Sequence, residues 1–174
     1  SSSTWSDLEL GDYAERYLID QFSSVKNVGR IRVGGLRELS IRVWVDPIRL
    51  AANNLTIQEV EAALRGAGGA CLAVDKVMET EEGASFSAMR PPGHHAEPDK
   101  AMGFCVYSSA AVAARYAQEK WGLERVAVLD FDVHHGNGTQ ACFWNNPALL
   151  YVSSHQMPLF PGTGEKSETG VSNN

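Results

Sequence analysis

The sequence predicts an α/β fold built around a parallel sheet, and three observations favour it. A short apolar run at 126–129 leads directly into carboxylates, imidazoles and glycines at 130–138. An alanine-rich amphipathic helix is predicted over 109–120, before this run, and a second apolar strand over 149–153 follows it. This alternation of strands and helices is typical of a parallel sheet with crossover helices. Such sheets bind ligands beyond the carboxyl ends of their strands.

Composition describes an ordinary globular chain and argues against several classes of function. The 174 residues are 44% hydrophobic and 21% charged, and the net charge of −6 gives no reason to expect nucleic-acid or anionic-membrane binding. No apolar run reaches the roughly 20 residues that cross a bilayer, and the polar first residues do not resemble a signal peptide. Three widely spaced cysteines favour a reducing compartment over a disulfide framework. We therefore expect a cytoplasmic protein without membrane spans.

The first third of the chain predicts a helix, a hairpin and a helical turn. Apolar residues recur at helical spacing over 7–25. The alternating segment 38–45 is predicted to pair with 30–33 across the turn Gly34–Gly35. Asp46–Pro47 begins a short helical turn, because proline favours the first position of a helix.

The middle of the chain predicts a longer helix and then a strand. Thr56 and Glu59 form a capping box that opens the helix. Glycines within 66–69 predict a break, since each costs about 1 kcal/mol relative to alanine, although the flanking apolar residues would also allow one helix to continue through them. Residues 85–89 are predicted as a strand, and 140–144 as a short helical turn.

Five short segments of the N-terminal region carry a family resemblance: Tyr13–Leu18, Val28–Gly29, Gly34–Gly35, Ile41–Pro47 and Leu50–Thr56. They resemble the periplasmic porter region of resistance-nodulation-division (RND) efflux pumps, over about residues 6 to 65. In that family the pattern belongs to a β-α-β-β-α-β subdomain, so the resemblance implies an α+β fragment, a ferredoxin-like half, over residues 1–65. The membrane helices of a pump are absent from this sequence, so transport is the weakest function considered.

Asp130, Asp132 and His134 follow the central strand and predict metal binding. Residues two apart in a strand point the same way, so these three side chains should share one face. Two carboxylates and an imidazole that converge at a strand end form half of a zinc site. The alternative is that the two aspartates simply cap the following turn and helix.

His94 and His95 follow Pro-Pro-Gly at the end of the strand predicted over 85–89. In a parallel sheet they would reach the same edge as the aspartates. Adjacent strand residues point to opposite faces, so the pair suits general acid–base work beside a metal-bound water, with a carboxylate such as Asp130 holding a ring. The alternative is a pair of capping or surface histidines.

Four motifs then occur in order: Arg90–Ala96, Gly103–Cys105, Asp130–Thr139 and Phe160–Gly164. Together they resemble the histone deacetylase superfamily, and within it the class II and bacterial deacetylase-like amidohydrolase branch, over about residues 66–173. The resemblance implies a three-layer α/β fragment with a parallel sheet over 66–174. It also implies zinc-dependent hydrolysis of the amide of acetyl-lysine or an acetylpolyamine.

The same resemblance implies roles for individual residues. The catalytic group comprises the histidine dyad His94 and His95, the bracing carboxylate Asp130, and Asn137, the class II variant of the second dyad partner. The substrate channel comprises Gly103, whose carbonyl takes the substrate amide, and the aromatics Phe104 and Phe160. The metal ligands comprise Asp132 and His134 for zinc, and Asp130, Asp132, His134, Ser153 and Ser154 for a structural potassium ion.

The sequence departs from the family after the Phe160–Gly164 loop. The family's third zinc ligand, an aspartate, and its oxyanion tyrosine lie further downstream and have no counterpart here, and Glu165 or Glu168 are the nearest substitutes. We therefore expect either an inactive deacetylase fragment or a noncatalytic chimera, engineered or selected as a recombinant, joined near 62–69. Because an incomplete parallel sheet exposes its strand edges, we also expect a homo-oligomer.

Overall fold

The computed structural model of the chain describes residues 4–26, 28, 31–33, 43–80 and 83–171. Its contacts divide the chain into two units, Ser1–Trp44 and Val45–Asn174. Residues 45–65, which the sequence analysis grouped with the N-terminal fragment, thus belong to the second unit. The domain boundary expected at residue 65 stays a prediction.

Among the described residues of the first unit, one helical segment runs in three parts. Helix α1 (Asp7–Tyr13) continues through a π-helical turn (Ala14–Leu18) into helix α2 (Ile19–Ser23), as the apolar spacing predicted. It begins with a capping box, in which the Ser6 hydroxyl accepts from the Glu9 N–H and the Glu9 carboxylate accepts from the Ser6 N–H. Most of the predicted hairpin, at residues 34–42, lies outside the described residues.

The second unit opens with two capped helices. Helix α3 (Pro47–Ala52) begins at Pro47, and the Asp46 carboxylate caps it by accepting from the N–H groups of Ile48 and Arg49. Helix α4 (Ile57–Glu79) begins with the predicted capping box of Thr56 and Glu59. No helix in the described parts of the chain is long and apolar enough to cross a membrane.

Helix α4 runs unbroken through the glycines at 66–69, so the continuous alternative was correct. Two of the glycines, Gly66 and Gly69, are tolerated because another segment lies directly against them. A Cβ on Gly69 would stand 2.7 Å from Cγ of Met89, and one on Gly66 would touch the carbonyl of Arg90 at 3.5 Å. The stretch that leads to the paired histidines is therefore packed on this face of α4.

The predicted strand at 85–89 does not form. These residues carry no strand assignment, and the Phe86 side chain is 90% exposed. The prediction failed because a strand requires a hydrogen-bonded neighbour, whereas Met89 packs on helix α4 instead. The apolar residues of this segment alone could not distinguish a paired strand from a stretch that packs on a helix.

In the described part of the chain, the parallel sheet comprises two strands, β1 (Val126–Asp130) and β2 (Leu149–Ser153), close to their predicted bounds. They pair in register from Val126 with Leu149 to Asp130 with Ser153. Helix α5 (Ser109–Trp121) precedes β1, and helix α6 (Asn137–Phe143) joins the strands and starts three residues before its predicted position. A mixed α/β architecture with a small parallel sheet is thus confirmed.

The core lies on one face of this sheet. Phe143 and Leu149 are each 1% exposed and pack with Ala111 and Ala114 of α5. On the opposite face, apolar side chains of both strands are open to solvent: Leu129, Leu150 and Val152. The carboxyl ends of β1 and β2 meet at the edge where Asp130 and Ser153 lie side by side.

Candidate active site

His94 is held by a carboxylate at the end of β1. Its Nδ1 lies 2.9 Å from Oδ2 of Asp130, which also accepts a 2.9 Å hydrogen bond from the Tyr151 hydroxyl. The other carboxylate oxygen accepts from the backbone N–H of Asp132 at 3.1 Å. The His94 and Asp130 side chains are only 16% and 12% exposed. Three donors therefore converge on one half-buried carboxylate.

These contacts shift the pKa values of His94, Asp130 and Tyr151. The hydrogen bond to Asp130 raises the pKa of His94, although burial opposes this change. Burial disfavours the ionised form of Asp130, but the hydrogen bonds from His94, Tyr151 and the Asp132 N–H outweigh it, so the pKa of Asp130 is lowered. Burial, reinforced by the adjacent Asp130 carboxylate, raises the pKa of Tyr151, which stays a donor.

His95 has a neutral partner instead of a carboxylate. Its Nδ1 lies 2.9 Å from Oδ1 of Asn137, at the start of helix α6, and both residues are buried. Helix α6 is fixed to the same loop, because the N–H of Gly138 donates to the His94 carbonyl at 2.9 Å. Burial lowers the pKa of His95. The ring centroids of the two imidazoles are 4.0 Å apart. Their pKa values are shifted in opposite directions, that of His94 upwards and that of His95 downwards.

Asp132 and His134 come together in a turn beyond the strand. Oδ1 of Asp132 accepts from the His134 N–H at 2.8 Å and lies 3.1 Å from its Nδ1. Strand β1 already ends at Asp130, so the prediction that strand alternation aligns all three residues was wrong. The capping alternative describes the turn correctly, because each aspartate accepts from the N–H two residues on. The turn nevertheless brings the two predicted ligands together.

Asp132 and His134 also meet the predicted acid–base pair. Nε2 of His94 is 4.0 Å from Oδ1 of Asp132, and the His95 and His134 rings are 5.9 Å apart. The Asp132 and His134 side chains remain 49% and 40% exposed. An open cleft of about 750 Å³ is lined by His94, Asp130 and Asp132. The four side chains thus converge at a site that a ligand can reach.

The predicted channel residues lie at or near the dyad. The Phe160 ring packs edge-on against His95, with centroids 4.9 Å apart. Met102 and Cys105 exchange backbone hydrogen bonds, so Gly103 and Phe104 form a two-residue hairpin turn with φ of +57° and +62°. A Cβ on Gly103 would strike the His95 ring. Phe104 is 93% exposed, whereas the Gly103 backbone closes one side of the dyad.

The two serines predicted for potassium lie at the end of strand β2, with Ser153 as its last residue and Ser154 directly after it. The N–H of Ser154 donates to the Asp130 carbonyl at 3.0 Å, so the main chains of the two strand ends are adjacent. The Ser153 hydroxyl lies 2.8 Å from Nδ1 of His155, which is a contact the sequence did not predict. The residues are therefore near Asp130, while their role as ion ligands stays a proposal.

Two groups that support the site were not predicted from the sequence. Tyr151 donates to Asp130, and its place in β2, two residues before Ser153, was a usable signal because alternate strand residues share a face. Glu97 accepts from the Asn137 side chain at 2.7 Å, which no sequence pattern indicated. Glu168, which was considered as a substitute zinc ligand, instead accepts from Gln140 at 2.6 Å and from the Gly164 N–H.

The spacing of two donor atoms, one from Asp132 and one from His134, fits a zinc ion. Ligand atoms about 2.0–2.2 Å from a tetrahedral zinc lie roughly 3.4 Å apart, close to the 3.1 Å between Asp132 Oδ1 and His134 Nδ1. Oxygen and imidazole nitrogen are both common zinc donors. Among the described residues, no three His, Cys, Asp or Glu side chains converge to hold a metal ion. The arrangement fits two ligands of a zinc site.

Fold and site together define a class of α/β protein. Two adjacent histidines, each hydrogen-bonded to a side-chain oxygen, lie beside an aspartate and a third histidine at the carboxyl ends of parallel strands. Comparison with known proteins specifies it further. The histone deacetylase domain family matches residues 30–174, and the chain belongs to this family.

The chain is also similar to individual proteins that carry the name of this family. The chain is 50% identical over 101 residues to a histone deacetylase-like amidohydrolase of Pseudomonas aeruginosa, covering 58% of this chain and 27% of that protein. It is 41% identical over 165 residues to human histone deacetylase 9, covering 93% and 14%. A crystal structure of the HDA15 HD domain superposes with a TM-score of 0.61 at 42% identity, covering 64% and 32%. The chain thus spans about a third or less of each.

The comparisons bear differently on the two predicted resemblances. The histone deacetylase resemblance is confirmed, and the family match extends it upstream to residue 30. The matched range therefore includes 30–65, and the human relative is aligned over nearly the whole chain. The comparisons give no support to an efflux-pump porter region or to a chimera of two families.

Proposed function

We propose that this chain contributes the acid–base half and two zinc ligands of a zinc-dependent deacetylase. The substrate class would be an acetylated amine, such as acetyl-lysine or an acetylpolyamine. One observation carries the proposal: the separately anchored dyad, His94 on Asp130 and His95 on Asn137, lies beside the Asp132–His134 pair. The names of the relatives, an amidohydrolase and histone deacetylases, support the same reaction class.

The two histidines of the dyad would each carry one of the two proton transfers. When bound at Asp132 and His134, zinc would polarise the acyl carbonyl and lower the pKa of a bound water towards about 7. His95, whose pKa is lowered by burial, is the neutral ring that accepts a proton from the attacking water. His94, whose pKa is raised by Asp130, is the ring that protonates the departing amine. Acetate and a free amine are the products.

The remaining predicted positions fit around this reaction. Phe160, packed on His95, and Phe104, at the hairpin tip, would flank the acyl-bearing chain, with the Gly103 carbonyl receiving its amide N–H. Potassium would be held by the main chain and side chains near the β1 and β2 ends: Asp130, Asp132, His134, Ser153 and Ser154. Because the chain spans about a third or less of its relatives, we assign the third zinc ligand to the part of the domain beyond this match.

Zinc titration tests the proposal directly. We expect the metal-free chain to take up one zinc, and His134→Ala to weaken that binding at least tenfold because one of two ligands is lost. His155→Ala is the matched control, since it removes a histidine bonded to Ser153 and Gly164 instead. Equal zinc affinity in the parent and His134→Ala would leave the motifs as scaffold only.

We further infer that the exposed face of the sheet associates with a second copy. Parallel sheets are normally covered on both faces, but Leu129 is 68% exposed and Val152 is 45% exposed. Leu129→Lys would then lower the mass measured by light scattering at micromolar concentration. A parent chain that is already monomeric under these conditions would exclude self-association.

A further inference from the structure

Behind the His95–Asn137 pair lies a carboxylate with a partner of its own. Oε1 of Glu97 accepts a 2.7 Å hydrogen bond from Nδ2 of Asn137, whose Oδ1 is 2.9 Å from Nδ1 of His95. The three side chains form a continuous chain from the half-buried Glu97 to a buried imidazole. Asn137 is 6% exposed, so water has little access to its amide.

The chemistry of these groups fixes the direction of both hydrogen bonds. An ionised carboxylate only accepts, so the amide end that faces Glu97 must be the NH₂ group. The amide oxygen then faces His95, and an amide oxygen also only accepts. Nδ1 of His95 must therefore carry the proton. In the neutral ring, Nε2 is left unprotonated.

Two weaker acceptors surround the same NH₂ group. Met102 Sδ lies 3.4 Å and the His95 carbonyl 3.5 Å from Nδ2 of Asn137. Both distances exceed the 2.7 Å to Glu97 by at least 0.7 Å, and neither acceptor is charged. Charge-assisted hydrogen bonds are roughly twice as strong as neutral ones, so Glu97 dominates the choice of amide orientation.

We propose that Glu97 is a positioning residue that sets the tautomer of His95 by orienting the Asn137 amide. Asp130 brings a negative charge directly to His94, whereas the Asn137 side chain next to His95 is uncharged. Glu97 supplies the corresponding charge to His95 from one hydrogen bond further away. The catalytic value of this arrangement, an Nε2 that can accept a proton, rests on the proposed function. The tautomer itself does not.

Side-chain exchange at position 97 leaves its backbone contacts in place. The N–H of Glu97 donates to the Lys100 carbonyl at 3.0 Å, and the Lys100 N–H donates back at 3.4 Å. A variant with a donor-only side chain, Glu97→Lys, should turn the Asn137 amide over. The NH₂ group would then face His95, which would accept at Nδ1 and carry its proton on Nε2.

The experiment is ¹⁵N NMR of the histidine rings in the metal-free chain at mildly alkaline pH, where His95 is neutral. Loss of a signal in His95→Gln assigns the ring. We expect protonated Nδ1 in the parent, protonated Nε2 in Glu97→Lys, and restored Nδ1 protonation in Glu97→Lys/Asn137→Asp, where a carboxylate faces the ring directly. Asp99→Lys makes the same charge change on an exposed residue of this loop and should keep the parent tautomer.

Unchanged Nδ1 protonation in folded Glu97→Lys would overturn the proposal, because the neutral acceptors would then suffice. If Glu97→Lys does not fold, Glu97→Gln decides: its amide can donate or accept, so the second tautomer should become detectable, and its absence would overturn the proposal. Neither readout needs zinc or substrate. Failure of the zinc titration would therefore remove the proposed function without touching the tautomer assignment.

Discussion

Replacing Asp130 by asparagine tests the reasoning about the site most sharply. The carboxylate receives three donors: His94 Nδ1 and the Tyr151 hydroxyl on one oxygen, and the Asp132 N–H on the other. Asparagine has the same shape but only one acceptor atom. In either amide orientation, its NH₂ group therefore faces at least one donor.

The cost follows from these contacts. Losing the bond to the Asp132 N–H costs little, because that donor is exposed and water can replace the acceptor, whereas the two remaining bonds lose their charge assistance at about 0.5–1 kcal/mol each. The best orientation keeps the two bonds to His94 and Tyr151 and loses the one to Asp132. We therefore expect Asp130→Asn to lower the free energy of unfolding by about 1–2 kcal/mol, or the melting temperature by roughly 2–8 °C.

Urea unfolding in the presence of a chelator measures this change without any contribution from bound metal. Asp99→Asn is the matched control, because Asp99 is exposed, and it should stay within about 0.5 kcal/mol of the parent. If Asp130→Asn also stays within that range, the three-donor description of Asp130 is refuted.

Two further predictions concern other contacts in the second unit. Gly103→Ala should lower the free energy of unfolding more than Gly122→Ala. Both positions have positive φ, which costs alanine about 1–2 kcal/mol, but only the Cβ at 103 strikes His95. Equal unfolding midpoints would refute that contact. The hydrogen bond from Lys120, with those from two other α5 side chains, lowers the pKa of Asp75. A lowered carboxyl pKa contributes stability above the unfolded pKa of about 3.9 that is lost as pH falls through the folded pKa. The stability difference between the parent and Asp75→Asn in urea should therefore shrink below about pH 4, and a pH-independent difference would contradict this account.

Elements with a clear local period were predictable from the sequence. β2 was predicted at its observed bounds and α5 to within one residue, because alternation and alanine-rich helical spacing are local properties. The strand at 85–89 failed for the opposite reason. Pairing depends on a neighbour that the segment itself does not encode, and here helix α4 occupies its side chains instead.

Of the contacts in the candidate site, the sequence indicated the one between His94 and Asp130 but not those of its other partners. The carboxylate and imidazole types at the end of β1 indicated where His94 and Asp130 would meet. Two partners were missed: Tyr151 on the next strand, whose strand position was the usable signal, and Glu97 in a loop, which no sequence pattern indicated. The Asp132–His134 approach came from a turn that the strand-based argument had not considered.

The glycines of helix α4 have a consequence for the order in which the second unit folds. Glycine weakens an isolated helix by about 1 kcal/mol per residue relative to alanine, so the centre of α4 is stable mainly when Met89 and Arg90 lie against Gly69 and Gly66. The same docking event holds the loop that carries the paired histidines. Opening of the helix centre and release of that loop should therefore be one cooperative event, visible as a shared rate of amide hydrogen exchange in the two segments.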